Sequence, residues 1–295
     1  MLIKIIRIYS VLLIFLFAHC NTNNDPVTEP IDPTGLEACI ITTSIENLEI
    51  MTWNVKEFPL DGEETITGVT NIIQKLNPDL IAFQEITTSA SLNTLVSNLT
   101  GWDDQIIISS GMNLGFLFKT SEVTLEEEII EILTGDSYAF PRPPVKIVIS
   151  HTNGLSVTLL NIHLKCCGGL DNIWRRKDAS EQLKEYIDSN YADEEVILLG
   201  DYNNEISETP GEENVFYNFI DDDQNYMFVD MEIALDNSTE WSYPSWPSHI
   251  DHILVTNELF DNIIQTQTLS LDSCDSQYLY DISDHRPVIL QLGMD

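Results

Sequence analysis

VILLGDYNNE, residues 196–205, is the stretch on which the reading of this chain turns. Val196 to Leu199 form a short apolar run of the kind buried on both faces of a sheet, and Gly200 breaks it just before Asp201 and Asn203. A strand that ends in a carboxylate and an amide aims those groups from a rigid base, which a mobile loop cannot do. The pattern recurs along the chain. LEIMTWNV (48–55) runs into Asn54, DLIAFQEI (79–86) into Glu85, and SVTLLNIHLK (156–165) into His163. SHIDHILV (248–255) carries Asp251, and DISDHRPV (281–288) carries Asp284 and His285. Polar residues suited to metal or phosphate chemistry that gather at strand ends point to one assembled site.

Working outward, strands are expected at Leu48 to Asn54, Leu80 to Gln84, Leu114 to Phe118, Val145 to Ser150, Ser156 to His163, Val196 to Leu199, Ile250 to Val255 and Val288 to Leu292. Helical spacing places Ile66, Val69, Ile72, Ile73 and Leu76 on one face, stopped by Asn77-Pro78, and a second helix is expected over Trp174 to Tyr191. Strands apolar on both sides need cover on both sides, so the expected class is α/β, stacked sheets with helices outside. No internal repeat and no second linker interrupts the pattern, which favours one domain over residues 36–295.

Composition narrows the function. Asp and Glu number 48 against 13 Lys and Arg, a formal charge of −35, so the basic footprint of a nucleic-acid binder is absent. A phosphate substrate survives that exclusion if a divalent cation supplies the missing charge locally. Residues 1–19 read as a signal peptide: Lys4 and Arg7, then an apolar run from Val11 to Phe17, too short for a membrane span. The segment ends at Cys20 and resembles a bacterial lipoprotein signal, which makes Cys20 the expected lipidated residue and the exported protein an outer-membrane or cell-surface lipoprotein. Ordinary cleavage, giving a periplasmic or secreted protein, is the alternative. Residues 20–35, rich in Asn, Thr, Asp and Pro, read as a disordered tether. Cys39, Cys166, Cys167 and Cys274 remain, and the sequence does not choose among their possible pairings.

The strand-end motifs, taken in order, resemble the endonuclease/exonuclease/phosphatase superfamily, metal-dependent phosphoesterases of the deoxyribonuclease I and exonuclease III type, over roughly residues 47 to 293. The resemblance implies a four-layer α/β sandwich with two mixed sheets face to face. It implies Glu85 as the principal Mg²⁺ or Mn²⁺ ligand, assisted by Asn54 and Asp284. It implies His285 as the base that activates water, oriented by Asp251, with Asp201 and Asn203 positioning nucleophile and phosphoryl oxygens. His163 is similar to a histidine that contacts phosphate or acts as general acid in some branches, and Arg142 in YAFPRPPV to an arginine that contacts phosphate. The carboxylate that orients the histidine in deoxyribonuclease I relatives has no evident counterpart here.

The chemistry asks for the same residue types. Hydrolysis of an anionic phosphodiester needs charge neutralisation, an aimed water and help for the leaving oxygen, and Mg²⁺ takes a few oxygen ligands while keeping waters. Each residue alone has a plainer reading. Asn54, Asp201 and Asp284 suit turns, Glu85 a loop start, His163 a core position, and His249 and His252 a structural role on the face away from Asp251. The aromatic trio Trp241, Tyr243 and Trp246 either stacks a base or sugar or, as its prolines favour, packs. Joint occurrence decides for chemistry. The expected function is hydrolysis of phosphodiesters, with DNA or RNA as first substrate. A small organophosphate or phospholipid head group is second, and a non-catalytic binding lipoprotein third. The protein is expected to be a monomer that meets membrane only through its lipid.

Overall fold

In the computed structural model, Cys39 and residues 46–294 are described, apart from 110, 208, 212, 213 and 237. The signal peptide, Cys20 and the tether lie outside these residues. The described residues fall in one compact unit, and no helix among them is long and apolar enough to cross a membrane.

Twelve strands build two six-stranded sheets. The first has the order β11 (Ile263–Thr268), β12 (Val288–Leu292), β1 (Leu48–Phe58), β2 (Leu80–Ile86), β4 (Asn113–Lys119), β3 (Trp102–Ile106). The second has the order β5 (Val123–Glu131), β6 (Val145–His151), β7 (Ser156–His163), β8 (Val196–Asp201), β10 (Asp251–Thr256), β9 (Tyr226–Phe228). Both are mixed: β1 pairs parallel with β2 and β7 with β8, while β12 and β10 add antiparallel. The principal helices are α1 (Glu63–Leu76), α2 (Ser89–Ser97) and α3 (Leu170–Asn190); α4 (Tyr217–Ile220), α5 (Met231–Leu235) and α6 (Tyr278–Asp281) are short.

Strand alternation sorts the apolar residues into three layers. Leu48 and Ile50 of β1, Leu80 and Ala82 of β2, Val157 and Leu159 of β7, Ile197 and Leu199 of β8, and Ile253 and Val255 of β10 fill the space between the sheets. Their neighbours in sequence turn outward. Met51, Trp53, Ile81 and Phe83 meet Ile66, Val69 and Ile73 of α1, and Leu160, Ile162 and Leu198 meet Leu183 and Ile187 of α3. The result is the expected four-layer sandwich.

The eight expected strands are present, most of them running a residue or more longer than read. Four strands escaped the sequence reading, β3, β5, β9 and β11, and they are the four sheet edges. An edge strand is partly solvated, so WDDQI, VTLEEEIIE and IIQTQT carry charges and amides where a central strand carries Val, Ile and Leu. Cys39 and Cys274 are joined as a disulfide, tying the start of the described chain to the segment before β12.

Candidate active site

The inward-facing positions change character along each strand. After the apolar layers comes an amide layer: Gln84 Nε2 donates to Asn161 Oδ1 (2.9 Å) and Thr52 Oγ1 (3.1 Å), and Asn161 Nδ2 donates to the carbonyls of Phe83 and Gly115. These bonds join the two sheets in the buried interior. Two residues further along the same faces stand Asn54, His163 and Asp201, with Asp251 beside them, all buried. Register sets the row: His163 pairs with Asp201 across β7 and β8, and Asp201 pairs with Asp251 across β8 and β10. Gly200 makes this row possible. Its φ is +143°, and a Cβ there would lie 2.0 Å from the Ile162 carbonyl oxygen, so no other residue fits beside β7.

Glu85 reaches the site differently. Alternation would turn it outward with Phe83, but its φ of 66° is left-handed and both strand pairings slip there. The side chain swings in, where Oε1 accepts from Asn54 Nδ2 (3.2 Å) and Oε2 accepts from the Glu57 amide (2.9 Å). Asn54 Nδ2 also donates to Asp201 Oδ2 (3.0 Å), while its Oδ1 accepts from the Lys56 amide. Asn203, left-handed at φ 51°, donates its amide to Asp201 Oδ1 (2.8 Å).

His285 Nδ1 lies 2.7 Å from Asp251 Oδ2, and Asp251 Oδ1 is buried without a hydrogen-bond partner among the described residues. Burial works against a charge on His285, yet Asp251 first, then Asp201 and Asp284, hold its pKa up to about 10. Asp201 is pushed up to about 7, first by burial and then by the Asp251 anion. His163 goes the other way: burial, then the nearby Arg142 and His285, holds its pKa well below the usual histidine value. Its Nε2 faces Asp201 Oδ2 at 3.4 Å and Glu85 Oε1 at 3.8 Å, and its Nδ1 has no partner among the described residues. The carboxylates near the ring therefore stand on its Nε2 side, and among the described residues none bonds Nδ1.

Glu85, His163, Asp201, Asn203, Asp284 and His285 line an open cavity of about 1020 Å³ together with Lys56, Asn204, Tyr243 and Trp246, and Asn54 and Asp251 stand behind that lining. The residues from 51 to 285 match the family model described as Endonuclease/Exonuclease/phosphatase family. The chain belongs to this family. Its members are metal-dependent phosphoesterases, and this endonuclease/exonuclease/phosphatase protein is an enzyme of that class. Solved structures share the fold at low identity. D. rerio TDP2 complexed with single strand DNA product is 15% identical with a TM-score of 0.65, covering 84% of this chain and 99% of that one. The human Nocturnin catalytic domain is 16% identical with a TM-score of 0.65, covering 86% and 97%. A Bacteroides thetaiotaomicron mannosyl-6-phosphatase is 16% identical with a TM-score of 0.62, covering 84% and 100%. No curated protein matches the chain by sequence.

The family depends on a divalent metal, and the donor set suits one. Glu85, Asp284 and Asp201 offer carboxylate oxygens, the preference of Mg²⁺ and Mn²⁺, whereas Asn54 turns its Nδ2 toward Glu85 and Asp201 and its Oδ1 to the Lys56 amide. Asp284 Oδ2 accepts from Lys56 Nζ at 2.7 Å and Glu85 also attracts that ammonium, while Asp201, Asp251 and His285 form a cluster whose ligand atoms lie within 4.8 Å of one another.

One expected site residue has other surroundings. Arg142 is absent from the cavity wall; its Nε donates to the His163 carbonyl (3.1 Å) and its Nη2 to that of Leu164 (2.8 Å), which makes it a clamp behind His163. Of the aromatic trio, Trp241 packs, with Nε1 on the Ile233 carbonyl. Tyr243 instead lies 4.9 Å from the His285 ring, and Trp246 is 78% exposed at the cavity rim.

Sequence reading missed several supports. Ser283 Oγ donates to the Asn54 carbonyl (2.6 Å) and accepts from the His285 amide, pinning two site segments together. Tyr278 Oη donates to the His285 carbonyl. Lys56, left-handed at φ 37° inside the register shift that follows Asn54, could not be placed by alternation. Behind Asp251, the wholly buried Asp230 Oδ2 faces His249 Nε2 (2.9 Å) and His252 Nδ1 (2.5 Å). His252 Nε2 faces the Asn204 carbonyl, so both ring nitrogens of His252 stand on acceptors. The expected structural role of His249 and His252 matches this arrangement.

Proposed function

We propose that this protein hydrolyses phosphodiesters, with a divalent cation held by Glu85, Asn54 and Asp284 and a water activated by His285. The observation that carries the reading is His285, 2.7 Å from Asp251 behind it, facing the same cavity as Glu85 and Asp284. When bound, the cation supplies positive charge that neutralises the phosphate and the crowded carboxylates. Asp251 accepts from Nδ1 and so leaves Nε2 of His285 as the basic atom toward the cavity. Asp251, Asp201 and Asp284 hold a proton on His285 in the ion-free site, so Nε2 takes the proton of the attacking water only once the positive charge of the cation has offset those carboxylates. Asp201, held by Asn54 and by the Asn203 amide, orients the water, and the Asn203 side chain stands near phosphoryl oxygen. His163, with its lowered pKa, is neutral near pH 7 and donates a hydrogen bond rather than acting as a cationic acid.

A nucleic-acid strand is the first substrate. An open cavity of about 1020 Å³ admits more than a phosphate group, and exposed Trp246 at its rim offers a face on which a base stacks. The formal charge of −35 favours the second reading, a small organophosphate or a phospholipid head group, since long-range attraction of a polyanion is lacking. The test is turnover of plasmid DNA, bis-p-nitrophenyl phosphate and p-nitrophenyl phosphate with Mg²⁺, Mn²⁺ or EDTA. Metal-dependent nicking of DNA supports the first reading; cleavage of the monoester alone makes the enzyme a phosphatase. No turnover of any of the three defeats both and leaves a binding protein.

The protein acts outside the cytoplasm in this proposal, tethered through Cys20. The Cys39–Cys274 disulfide suits an oxidising compartment. Cys20→Ser should release the protein from the membrane fraction; unchanged membrane association would refute the tether.

A further inference from the structure

We infer that Cys166 and Cys167 form a reversible dithiol–disulfide pair at the rim of the active-site cavity, a site that exchanges with low-molecular-weight disulfides. Side chains of adjacent residues diverge in strands, where they alternate between faces. Here they converge. Cys167 is left-handed at φ 79°, and its Sγ lies 2.7 Å from Cys166 Sγ, not far outside the bonded distance of about 2.05 Å. Neither cysteine belongs to the Cys39–Cys274 bond.

The backbone that brings the sulfurs together is clamped from below. Buried Arg176 donates through Nη1 to the carbonyls of Lys165 (2.9 Å) and Cys167 (3.0 Å), one on each side of Cys166, and through Nε to Asn204 Oδ1. The Leu164 carbonyl just upstream accepts from Arg142 and Asn203. Ring closure at the pair therefore moves the two side chains against a fixed loop. Access is open: Cys167 is exposed, Cys166 half-buried, and both line the cavity beside His163, Asp201 and Asn203.

The two sulfurs are not equivalent. Lys165 Nζ lies 3.6 Å from Cys166 Sγ, and the Cys167 thiol donates to the same atom, so the Cys167 proton is engaged on Cys166 while the Cys166 sulfur faces an ammonium. That hydrogen bond, with burial, holds the Cys167 pKa up. Cys166 is thus the attacking sulfur. It displaces one thiolate from a disulfide RSSR to give a mixed disulfide. Cys167 then loses its proton, and its sulfur attacks the Cys166 sulfur and expels the second thiolate. The sum is protein dithiol plus RSSR going to protein disulfide plus two RSH, the protein oxidised and RSSR reduced.

The test equilibrates the full chain with reduced and oxidised glutathione at graded ratios, quenches with acid, alkylates with iodoacetamide and weighs the peptide holding both cysteines. That peptide should pass in one two-electron step from two alkyl groups to none, two hydrogens lighter. Cys166→Ser and Cys167→Ser should each stop at a glutathione adduct. The reduced chain should also take up one phenylarsine oxide across the pair, with loss of one water, and neither serine variant should. Alkylation of both sulfurs at every ratio, oxidation that joins two chains, or arsenical uptake undiminished in the serine variants would overturn the inference.

Discussion

His285 and Asp251 come from different sheets and meet across the gap between them, Nδ1 to Oδ2 at 2.7 Å. Asp251 opens β10, whereas His285 stands in the segment before β12, anchored by Ser283 and Tyr278 through its own backbone. The pair therefore exists only when both sheets are packed, and its two members act as one unit. His285→Ala should lower metal-dependent turnover by about 10² to 10⁴ with the far-ultraviolet circular dichroism unchanged. Asp251→Asn should fall in the same range. The double variant should be no worse than the worse single one, because residues that act together are not additive. Steady-state rates on bis-p-nitrophenyl phosphate measure this, and fully multiplicative losses would break the pair into independent roles.

In the proposed function, Glu85 ties the cation to the fold. A ligand that binds only the folded state at 100 times its dissociation constant stabilises by about 2.7 kcal/mol, which a melting curve resolves. Mg²⁺ or Mn²⁺ should raise the melting temperature of the wild type, EDTA should abolish both that rise and turnover, and Glu85→Gln should lose most of the cation-dependent shift. An undiminished shift in Glu85→Gln would place the cation elsewhere.

Why the sequence yielded so much of this site, and where it failed, follows from strand geometry. Asn54, His163, Asp201 and Asp251 are positions where an apolar run turns polar at a strand end, a contrast visible in one dimension. Their shared face follows from alternation: Asn54 continues Ile50, Asp201 continues Leu199, and Asp251 continues Ile253 toward the space between the sheets. Glu85 breaks that rule, since only a left-handed backbone and a register slip bring it inward, and neither has a residue signature. Arg142 shows the opposite failure. Its motif was visible, but the carbonyls of His163 and Leu164 that take its donors belong to another strand's end. The edge strands were illegible because solvent shares their faces, and Asp230 because a lone Asp ahead of a short helix looks like any other turn residue.

Asp230 carries the interior charge balance. Burial opposes a charge on His252, but Asp230 at 2.5 Å outweighs it and holds the pKa above the usual histidine value, while the two histidines hold Asp230 below the usual carboxylate range. Asp251 adds to the rise of His252. A raised folded pKa means that the His252 contribution is complete below about pH 6.5 and fades as pH climbs through the folded value. A lowered one means that the Asp230 contribution is complete above about pH 3.9 and fades as pH falls. The pair should therefore stabilise most between about pH 4 and 6.5. Asp230→Asn should cost about 3–5 kcal/mol there, the usual price of breaking a buried ion pair. Denaturant midpoints of the two proteins across pH measure the difference, which should narrow on the alkaline side.

Gly200 is the one residue between the β7 backbone and Asp201 with no room for a side chain. Gly200→Ala puts a Cβ 2.0 Å from the Ile162 carbonyl oxygen, backbone against backbone, so β7 and β8 must part. Overpacking of this kind costs about 1–3 kcal/mol or more. Because His163 and Asp201 are the next pair in register, the strain falls on the site itself. Turnover should drop more than the melting temperature alone explains, measured well below the transition. Full activity in a folded Gly200→Ala would show that the row of His163, Asp201 and Asp251 tolerates displacement.

Lys56 poses a competition among charges. Its ammonium stands 2.7 Å from Asp284 and under the attraction of Glu85, two of the proposed cation ligands, while also being a cationic group on the wall of a cavity for anionic substrates. Removing it has two opposite consequences. Without the ammonium, Asp284 is free and a dication meets one fewer positive charge, so metal affinity should rise. The substrate phosphate loses a cationic neighbour, so KM should rise as well. A partly exposed ion pair contributes about 0–1 kcal/mol, which bounds the gain in metal affinity to a few-fold. Lys56→Met should therefore need a lower Mg²⁺ concentration for half-maximal activity and a higher substrate concentration, with melting temperature little changed. A rise in both requirements would show that Lys56 supports the cation rather than competing with it, and a fall in both would remove it from substrate binding.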